Sequence, residues 1–231
     1  MLQLRSLNEI RGADAGWLKA KHHFAIGPYG NPDHRPIGNL IVFNDDEVAP
    51  HSGFDLHPHA NVEIVSYIQE GTVTHEDDQG HRGQTHAGDV QVMSAGTGIR
   101  HAERNVADVP IHLFQIWLKP TSPGGAPRWG NKPFPKADRA GAFVVLASGR
   151  GADGALPIRS DAEVSGALLP AGAKTQYSFR EGDAGYLVPA TGDVEVNGVR
   201  VHAREGLVIQ GEKRISIKAL ADSELVLVAT S

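Results

Sequence analysis

The chain is divided into short apolar runs, and turn residues separate these runs. The runs in the first half lie at residues 40–43, 62–68, 90–93 and 111–118, and β-branched and aromatic side chains are frequent in them. Turn-forming residues stand between them at 78–80 and 87–89. With 27 glycines and 14 prolines in 231 residues, and with few helical patterns, the sequence predicts an all-β protein.

A change of amino-acid composition at residues 120–141 indicates a boundary between two domains. This segment holds Pro120, Pro123, Pro127, Pro133 and Pro135 together with several glycines, which is too many breakers for a strand. The turn pattern of residues 71–90 also returns weakly at 192–208, as expected for a duplicated β domain. The sequence therefore predicts an N-terminal domain at 1–125 and a C-terminal domain at 126–231.

Two short motifs carry the chemistry, His57-Pro58-His59 and His101-Ala102-Glu103. In a strand, residues two apart point to the same face. Two such pairs on neighbouring strands would bring three imidazole nitrogens and one carboxylate oxygen to one point. That set suits a first-row divalent metal and leaves coordination positions open, as reactive metal sites do. The metal ligands predicted from this spacing are His57, His59, His101 and Glu103.

Glu63 is the alternative to Glu103 for the fourth ligand position. An extended chain from His59 to Glu63 spans about 13 Å, so Glu63 reaches the metal only if its strand bends. Glu103 needs no such bend, because it stands two residues from His101. We therefore favour Glu103, and we expect Glu63 to be an outer or structural carboxylate.

The remaining histidines receive simpler interpretations. His75, His81 and His86 lie in a polar hairpin-like segment and are expected in a solvated turn rather than in a second metal site. On the strand at 111–118, at most one of His112 and Gln115 faces the metal cavity, because they differ in parity.

Two other histidine positions bear on the site. The pair at residues 22 and 23 either lines the pocket mouth or is a packed or surface pair. His202 is the only histidine after residue 112, so the second half cannot build an equivalent metal site. The expected role of the second half is to pack against the first half and to close one side of the cavity.

Composition excludes several classes of protein. The formal net charge of −5 gives no reason to expect a nucleic-acid-binding surface. Cysteine is absent, so disulfides and thiol nucleophiles are impossible. The first residues are charged and do not resemble a secretory signal, and no apolar run reaches the about 18 residues of a membrane helix. We expect a cytoplasmic monomer without membrane contact.

The spacing of the two motifs resembles the cupin superfamily. Gly53-x3-His57-x-His59-x3-Glu63-x7-Gly71 has the outline of the first cupin motif, and Gly98-x2-His101-x3-Asn105 has the outline of the second. The segments HPHANVEIVSYIQEGTVTHED and SAGTGIRHAERN resemble the pirin family, and within it the bacterial members similar to quercetin 2,3-dioxygenase. The resemblance is close over residues 15–120 and loose in the second half. The proline common in the second cupin motif is missing here, which affects a turn and no ligand.

The resemblance implies a fold and a cofactor. It implies a bicupin, in which two antiparallel β-barrels of jelly-roll type pack face to face. It also implies a single divalent transition metal in the N-terminal barrel, held by His57, His59, His101 and Glu103. Iron is the expected metal, although a mixed N/O site also accepts manganese, nickel, copper or zinc.

Two functions follow from that resemblance. The first is a metal-dependent dioxygenase that opens the central ring of a flavonol such as quercetin with O2, with Glu103 as the catalytic base for the substrate hydroxyl. The alternative is a metal- or redox-sensing regulatory binding protein, in which the metal changes a surface that a protein partner recognises. Both functions use the same site, so the sequence alone does not separate them.

Overall fold

The computed structural model describes residues 1–231, which form many short strands and one short 3-10 helix at Lys136–Arg139. The first twelve strands are β1 (Leu2–Arg5), β2 (Arg11–Asp14), β3 (Leu18–His22), β4 (Leu40–Val48), β5 (Ser52–His59), β6 (Glu63–Glu70), β7 (Thr72–Asp77), β8 (Arg82–His86), β9 (Val90–Ser94), β10 (Ile99–Asn105), β11 (Ile111–Leu118) and β12 (Arg128–Lys132). The helix is too short to cross a bilayer, and the chain holds no other that could.

Ten further strands follow the helix. They are β13 (Val144–Ser148), β14 (Leu156–Pro157), β15 (Ala162–Leu169), β16 (Lys174–Ser178), β17 (Ala184–Thr191), β18 (Val194–Val196), β19 (Val199–Val201), β20 (Gly206–Gln210), β21 (Arg214–Ala219) and β22 (Ser223–Thr230). Asn197 and Gly198 join β18 to β19 with φ angles of 46° and 85°. The Asn-Gly pair thus forms the tight hairpin turn that such a pair favours.

The N-terminal barrel consists of a seven-stranded and a four-stranded antiparallel sheet. The large sheet has the order β12-β9-β6-β11-β4-β3-β2, and the small sheet has the order β5-β10-β7-β8. Alternation along β10 buries His101 and Glu103 and exposes Arg100 and Arg104. The small sheet therefore turns its functional side chains into the barrel and its arginines to solvent.

The C-terminal barrel repeats this construction. Its large sheet has the order β1-β20-β17-β22-β15-β13-β14, and its small sheet has the order β16-β21-β18-β19. Only the pairing of β13 with β14 is parallel. Alternate residues of β21, among them Ile215 and Ile217, are buried in a separate apolar core of this barrel.

The two barrels pack face to face through their large sheets. The largest core cluster joins Phe43 and Phe114 of the N-terminal barrel to Tyr186 and Val226 of the C-terminal barrel. The ring centroids of Phe43 and Tyr186 lie 5.5 Å apart. The all-β bicupin expected from the sequence is confirmed.

Two strands join the sheet of the other barrel across the domain limits expected at 1–125 and 126–231. β1 pairs with β20 of the C-terminal barrel, and β12 pairs with β9 of the N-terminal barrel. The expectation that residues 120–141 contain no strand is wrong, because β12 fits between Pro127 and Pro133 at a sheet edge. The limits themselves stay a prediction.

Candidate metal centre

Three histidines converge inside the N-terminal barrel. β5 and β10 are antiparallel neighbours, and their register places His101 opposite His57. The ring centroids of His57 and His101 lie 4.5 Å apart, and those of His59 and His101 lie 5.0 Å apart. The ligand nitrogens of all three lie within 4.8 Å of one another. The two motifs thus lie on neighbouring strands, as their spacing indicates.

The three rings open onto one small pocket. Its volume is about 90 Å³. Its walls are formed by Asn44, Asp46, Phe54, His57, His59, His101, Glu103, Gln115 and Trp117. Polar and aromatic side chains share these walls, as in sites that hold an aromatic ligand by a few oriented groups.

The electrostatics of the pocket keep two of the imidazoles neutral. Burial, reinforced by the rings of His57 and His75, lowers the pKa of His101 to about 3. Burial, reinforced by His101 and His57, lowers the pKa of His59 to about 4. A neutral imidazole has a free lone pair, which is the form that binds metals.

Two ring nitrogens are directed for coordination. Nε2 of His101 is buried and has no hydrogen-bond partner, which is costly unless a ligand binds there. Nδ1 of His57 lies 2.7 Å from the carbonyl oxygen of Asp55. Only an N–H can donate to that oxygen, so Nε2 of His57 carries the lone pair. The donor set therefore fits a divalent transition metal.

Glu103 lies beside His101 and is held by neutral donors. Its Oε1 accepts a hydrogen bond of 2.6 Å from Gln91, and its Oε2 accepts one of 3.0 Å from Gln115. The Thr85 hydroxyl orients the Gln91 amide, and the indole N–H of Trp117 orients the Gln115 amide. With donors at both oxygens, the Glu103 carboxyl group is held in one orientation.

The ligand distances separate Glu103 from two of the histidines. A carboxylate oxygen of Glu103 lies within 4.8 Å of ligand nitrogens of His75 and His101. The separate group of ligand atoms formed by His57, His59 and His101 does not include Glu103. A β-bulge lies between His101 and Glu103 in the pairing with β5, and it alters the simple two-residue spacing. Coordination by Glu103 stays a prediction.

Glu63 is directed away from the pocket. Its Oε2 accepts hydrogen bonds of 2.6 Å from the Ser94 hydroxyl and 2.9 Å from the backbone N–H of Arg159. Glu63 is buried and links the N-terminal barrel to the segment before β15. These contacts are those of a structural carboxylate.

The expectation that His75 lies in a solvated turn is wrong. β7 alternates so that Val73, His75 and Asp77 all face the barrel interior. The His75 ring is stacked on Trp129, with centroids 4.6 Å apart and planes at 6°. The parity of His75 with Val73 was a signal in the sequence that could have identified it as buried.

The other polar residues of the pocket come from β11 and β4. Gln115 faces the pocket, and His112 faces Glu47 instead, so one of the two lines the cavity. Asn44 and Asp46 were missed by the sequence reasoning. Both faces of β4 are packed, so burial alternation did not mark which face meets the metal pocket.

The paired histidines before β4 are packed. Nδ1 of His22 lies 3.0 Å from Oδ1 of Asn44, and Nδ1 of His23 lies 2.8 Å from the hydroxyl oxygen of Tyr186. Burial lowers the pKa of His23 to about 3, with Arg5 contributing. His23 therefore belongs to the interface between the barrels, and His22 supports a wall of the pocket.

Comparison with known proteins gives two family matches. The Pirin family model matches residues 4–118, and the model for the quercetinase C-terminal cupin domain matches residues 145–229. Together they cover both barrels.

Individual relatives match over nearly the whole chain. A Pirin-like protein of Caulobacter vibrioides is 56% identical over 229 residues, which is 99% of each chain. A protein of Escherichia coli K12 named quercetin 2,3-dioxygenase is 36% identical and covers 98% of this chain and 97% of its own. The crystal structure of the bacterial pirin YhhW from Escherichia coli in complex with nickel(II) superposes with a TM-score of 0.93 at 35% identity, covering 100% of this chain and 99% of that one.

Proposed function

The chain belongs to the pirin family, and from this we propose that it is a metal-dependent dioxygenase of the quercetinase type. Its substrate would be a flavonol such as quercetin, whose central ring is opened with O2. The observation that carries the proposal is the convergence of three imidazoles on a pocket that Glu103 also lines, with Nε2 of His101 left without a partner.

Four side chains would hold one divalent transition metal. They are His57, His59, His101 and Glu103. Three nitrogens and one oxygen suit iron, which we favour, and also manganese, nickel, copper and zinc. When bound, a redox-active ion of this group supplies Lewis acidity and an electronic connection to O2. The nickel(II) complex of the YhhW protein supports the binding of a divalent metal without identifying the one used here.

Glu103 would act as the general base. An ionised carboxylate in the pocket wall can accept the proton of a substrate hydroxyl. Gln91 and Gln115 hold its two oxygens, so the carboxylate stays in one orientation while it takes the proton. Phe54 and Trp117 line the pocket, where their rings would contact a flat face of a flavonol.

The pocket accepts only part of such a substrate. A site that fully buries a ligand of this size has a volume of about 300 Å³ or more, whereas this pocket measures about 90 Å³. The oxygen-bearing edge of the flavonol would enter, and the remaining rings would lie at the mouth.

The experiment is turnover by protein of known metal content. Iron-, nickel-, manganese- and copper-loaded samples, each verified by elemental analysis, are incubated with quercetin while O2 and flavonol absorbance are followed. At least one metal should support turnover, and zinc-loaded protein should not, because zinc does not change oxidation state. If all four metal-replete samples fail with quercetin and related flavonols, the proposal is overturned.

The small pocket favours a second candidate, a metal- or redox-sensing regulatory binding protein. A sensor needs room for the ion and its water, and about 90 Å³ is enough for about three water molecules. This function predicts that oxidation of the bound metal changes hydrogen exchange on the surface around β5 and β10. Unchanged exchange in the two oxidation states would contradict it.

A further inference from the structure

Asp46 has a buried carboxyl group without a partner. The residue is 3% exposed, and its Oδ1 is buried with no hydrogen-bond partner. The preceding residue, Asp45, is also buried and its Oδ1 also lacks a partner, but its Oδ2 forms an ion pair with Arg204. An unpaired buried carboxyl lowers stability and is rare in native proteins. Asp46 is therefore a residue whose position packing alone does not explain.

Asp46 belongs to the wall of the candidate metal pocket. Asp46 lines the same small cavity as His57, His59 and His101. It is absent from both groups of closely spaced metal-ligating atoms, which are formed by the histidines and Glu103. Its position is that of a wall residue that meets a ligand, and it is not that of a metal ligand.

The small size of the pocket brings a ligand bound at the histidines close to Asp46. A volume of about 90 Å³ corresponds to about three water molecules. When one oxygen of a ligand reaches the histidines, the atoms bonded next to that oxygen occupy the rest of the pocket. A polar group on the neighbouring atom would then supply the hydrogen bond that the Asp46 carboxyl lacks.

We propose that Asp46 is a ligand-binding residue that selects substrates carrying two oxygens on adjacent carbons, such as a hydroxyl next to a carbonyl. The proposal rests on the proposed function, because it takes the histidines as the place where the first oxygen binds. Asp46 hydrogen-bonds the second oxygen. A substrate with a single oxygen would leave the carboxyl unpaired, and such a site discriminates strongly against ligands that lack the second group.

The charge around Asp46 supports this role. Burial raises the pKa of Asp46 well above its usual value, and the neighbouring carboxylates of Asp45 and Glu103 raise it further. A protonated carboxyl can donate to a carbonyl oxygen and accept from a hydroxyl. An asparagine at this position has the same two abilities, whereas a leucine has neither.

The test is binding of maltol, a small ring with adjacent hydroxyl and carbonyl groups, to nickel-loaded protein under nitrogen. Absorbance titrations compare the wild-type chain with Asp46→Asn and Asp46→Leu. Azide, which contains no oxygen, serves as the control probe. Metal content and Tm are measured for every sample. We expect Asp46→Leu to bind maltol at least tenfold more weakly, Asp46→Asn to stay within threefold of wild type, and azide binding to be unchanged.

The same variants give a second readout. Because the unpaired carboxyl lowers stability, Asp46→Leu, which has no polar group to leave unpaired, should raise Tm while the metal content stays at the wild-type level. A structural residue would show a lowered Tm instead. The proposal is overturned if Asp46→Leu binds maltol as wild type does, if Asn and Leu weaken binding equally, if Asp46→Leu lowers Tm, or if wild type does not bind maltol.

This result is separate from the outcome for turnover. If maltol binding depends on Asp46 while quercetin is not consumed, the proposed function fails and the binding role stands. If quercetin is consumed with the same KM by wild type and Asp46→Leu, the dioxygenase stands and the role of Asp46 is overturned.

Discussion

Nδ1 of His75 lies 3.5 Å from Nδ1 of His101, whose ring lines the metal pocket. On its other side, Nε2 of His75 lies 2.9 Å from Oδ2 of Asp77. Burial would raise the pKa of Asp77, but hydrogen bonds from His75 and His81 lower it below its usual value. Asp77 is thus an ionised anchor that orients His75, and His75 in turn orients His101 with Nε2 toward the pocket.

Replacing His75 should weaken metal binding without unfolding the barrel. Phenylalanine can keep the stacking on Trp129, but it has no nitrogen to orient the His101 ring. Loss of such an outer partner costs about 10- to 100-fold in metal affinity. Competition with a chelator measures the change for His75→Phe, with the exposed His86→Phe as control. Equal affinities for the two variants would contradict the orienting role.

The chain should bind one divalent transition metal per polypeptide. The histidine cluster lies in the N-terminal barrel, and the C-terminal half contains only His202, which pairs with Asp193. Elemental analysis of His57→Ala/His101→Ala should show loss of the metal with an unchanged β-type circular dichroism spectrum. The matched control is His51→Ala/His86→Ala, which removes two exposed histidines. Two metals per chain, or full retention in the first double variant, would contradict the prediction.

Glu103 and Glu63 should respond differently to the same change. Glu103→Gln replaces an anionic oxygen in the pocket wall, so metal affinity should fall about tenfold or more. Glu63→Gln weakens the contacts with Ser94 and Arg159, so it should lower the free energy of unfolding by about 1–3 kcal/mol and keep the metal. The assignment is reversed if Glu63→Gln loses the metal and Glu103→Gln retains it.

Metal release should require strong acid. The pKa values of His59 and His101 are lowered to about 4 and about 3, and only the neutral rings bind metal. The contribution of these two rings is therefore complete at pH 7 and is lost as pH falls through about 4 and then about 3. Equilibrium dialysis in pH steps measures the release. Half-release near the ordinary histidine pKa of about 6.5 would contradict the prediction.

The metal-free protein should also lose stability in acid. Because the folded-state pKa values of His59 and His101 lie below those of the unfolded chain, the unfolded chain takes up protons first. Stability is full above about pH 6.5 and falls as pH decreases toward the folded-state values. Urea unfolding of the metal-free protein between pH 7 and pH 4 checks the sign. A rise in the free energy of unfolding as pH falls would contradict the prediction.

Arg139 should be critical to the packing of the two barrels. This buried side chain donates hydrogen bonds to the Tyr67 hydroxyl and to the carbonyl oxygens of Gly88 and Phe134. Arg139→Met leaves three acceptors without that donor and should lower the free energy of unfolding by about 3 kcal/mol or more. Arg82→Met, which breaks an exposed pair with Glu76, should cost under about 1 kcal/mol. Similar losses for the two variants would refute the role of Arg139.

The histidine motifs were readable in the sequence because their chemistry depends on local spacing. The alternation of side chains within a single strand determines which face His57, His59 and His101 occupy. His75 was also readable by parity, but its polar neighbours obscured the signal. Asp46 was not, because β4 is packed on both faces and only the assembled barrels decide which face meets the pocket. The strand pairings of β1 and β12 were equally inaccessible, since β1 pairs across about 200 residues and β12 lies in a segment whose prolines and glycines concealed it.

The pairing of β1 with β20 bears on how the chain is made. β1 leaves the ribosome about 200 residues before its partner strand. At about 5–20 residues per second, that interval is roughly 10–40 s. Until β1 returns, β20 is an uncovered sheet edge that can pair with another chain. Deleting residues 2–5 would make that exposure permanent, so aggregation during expression is the expected outcome of this deletion.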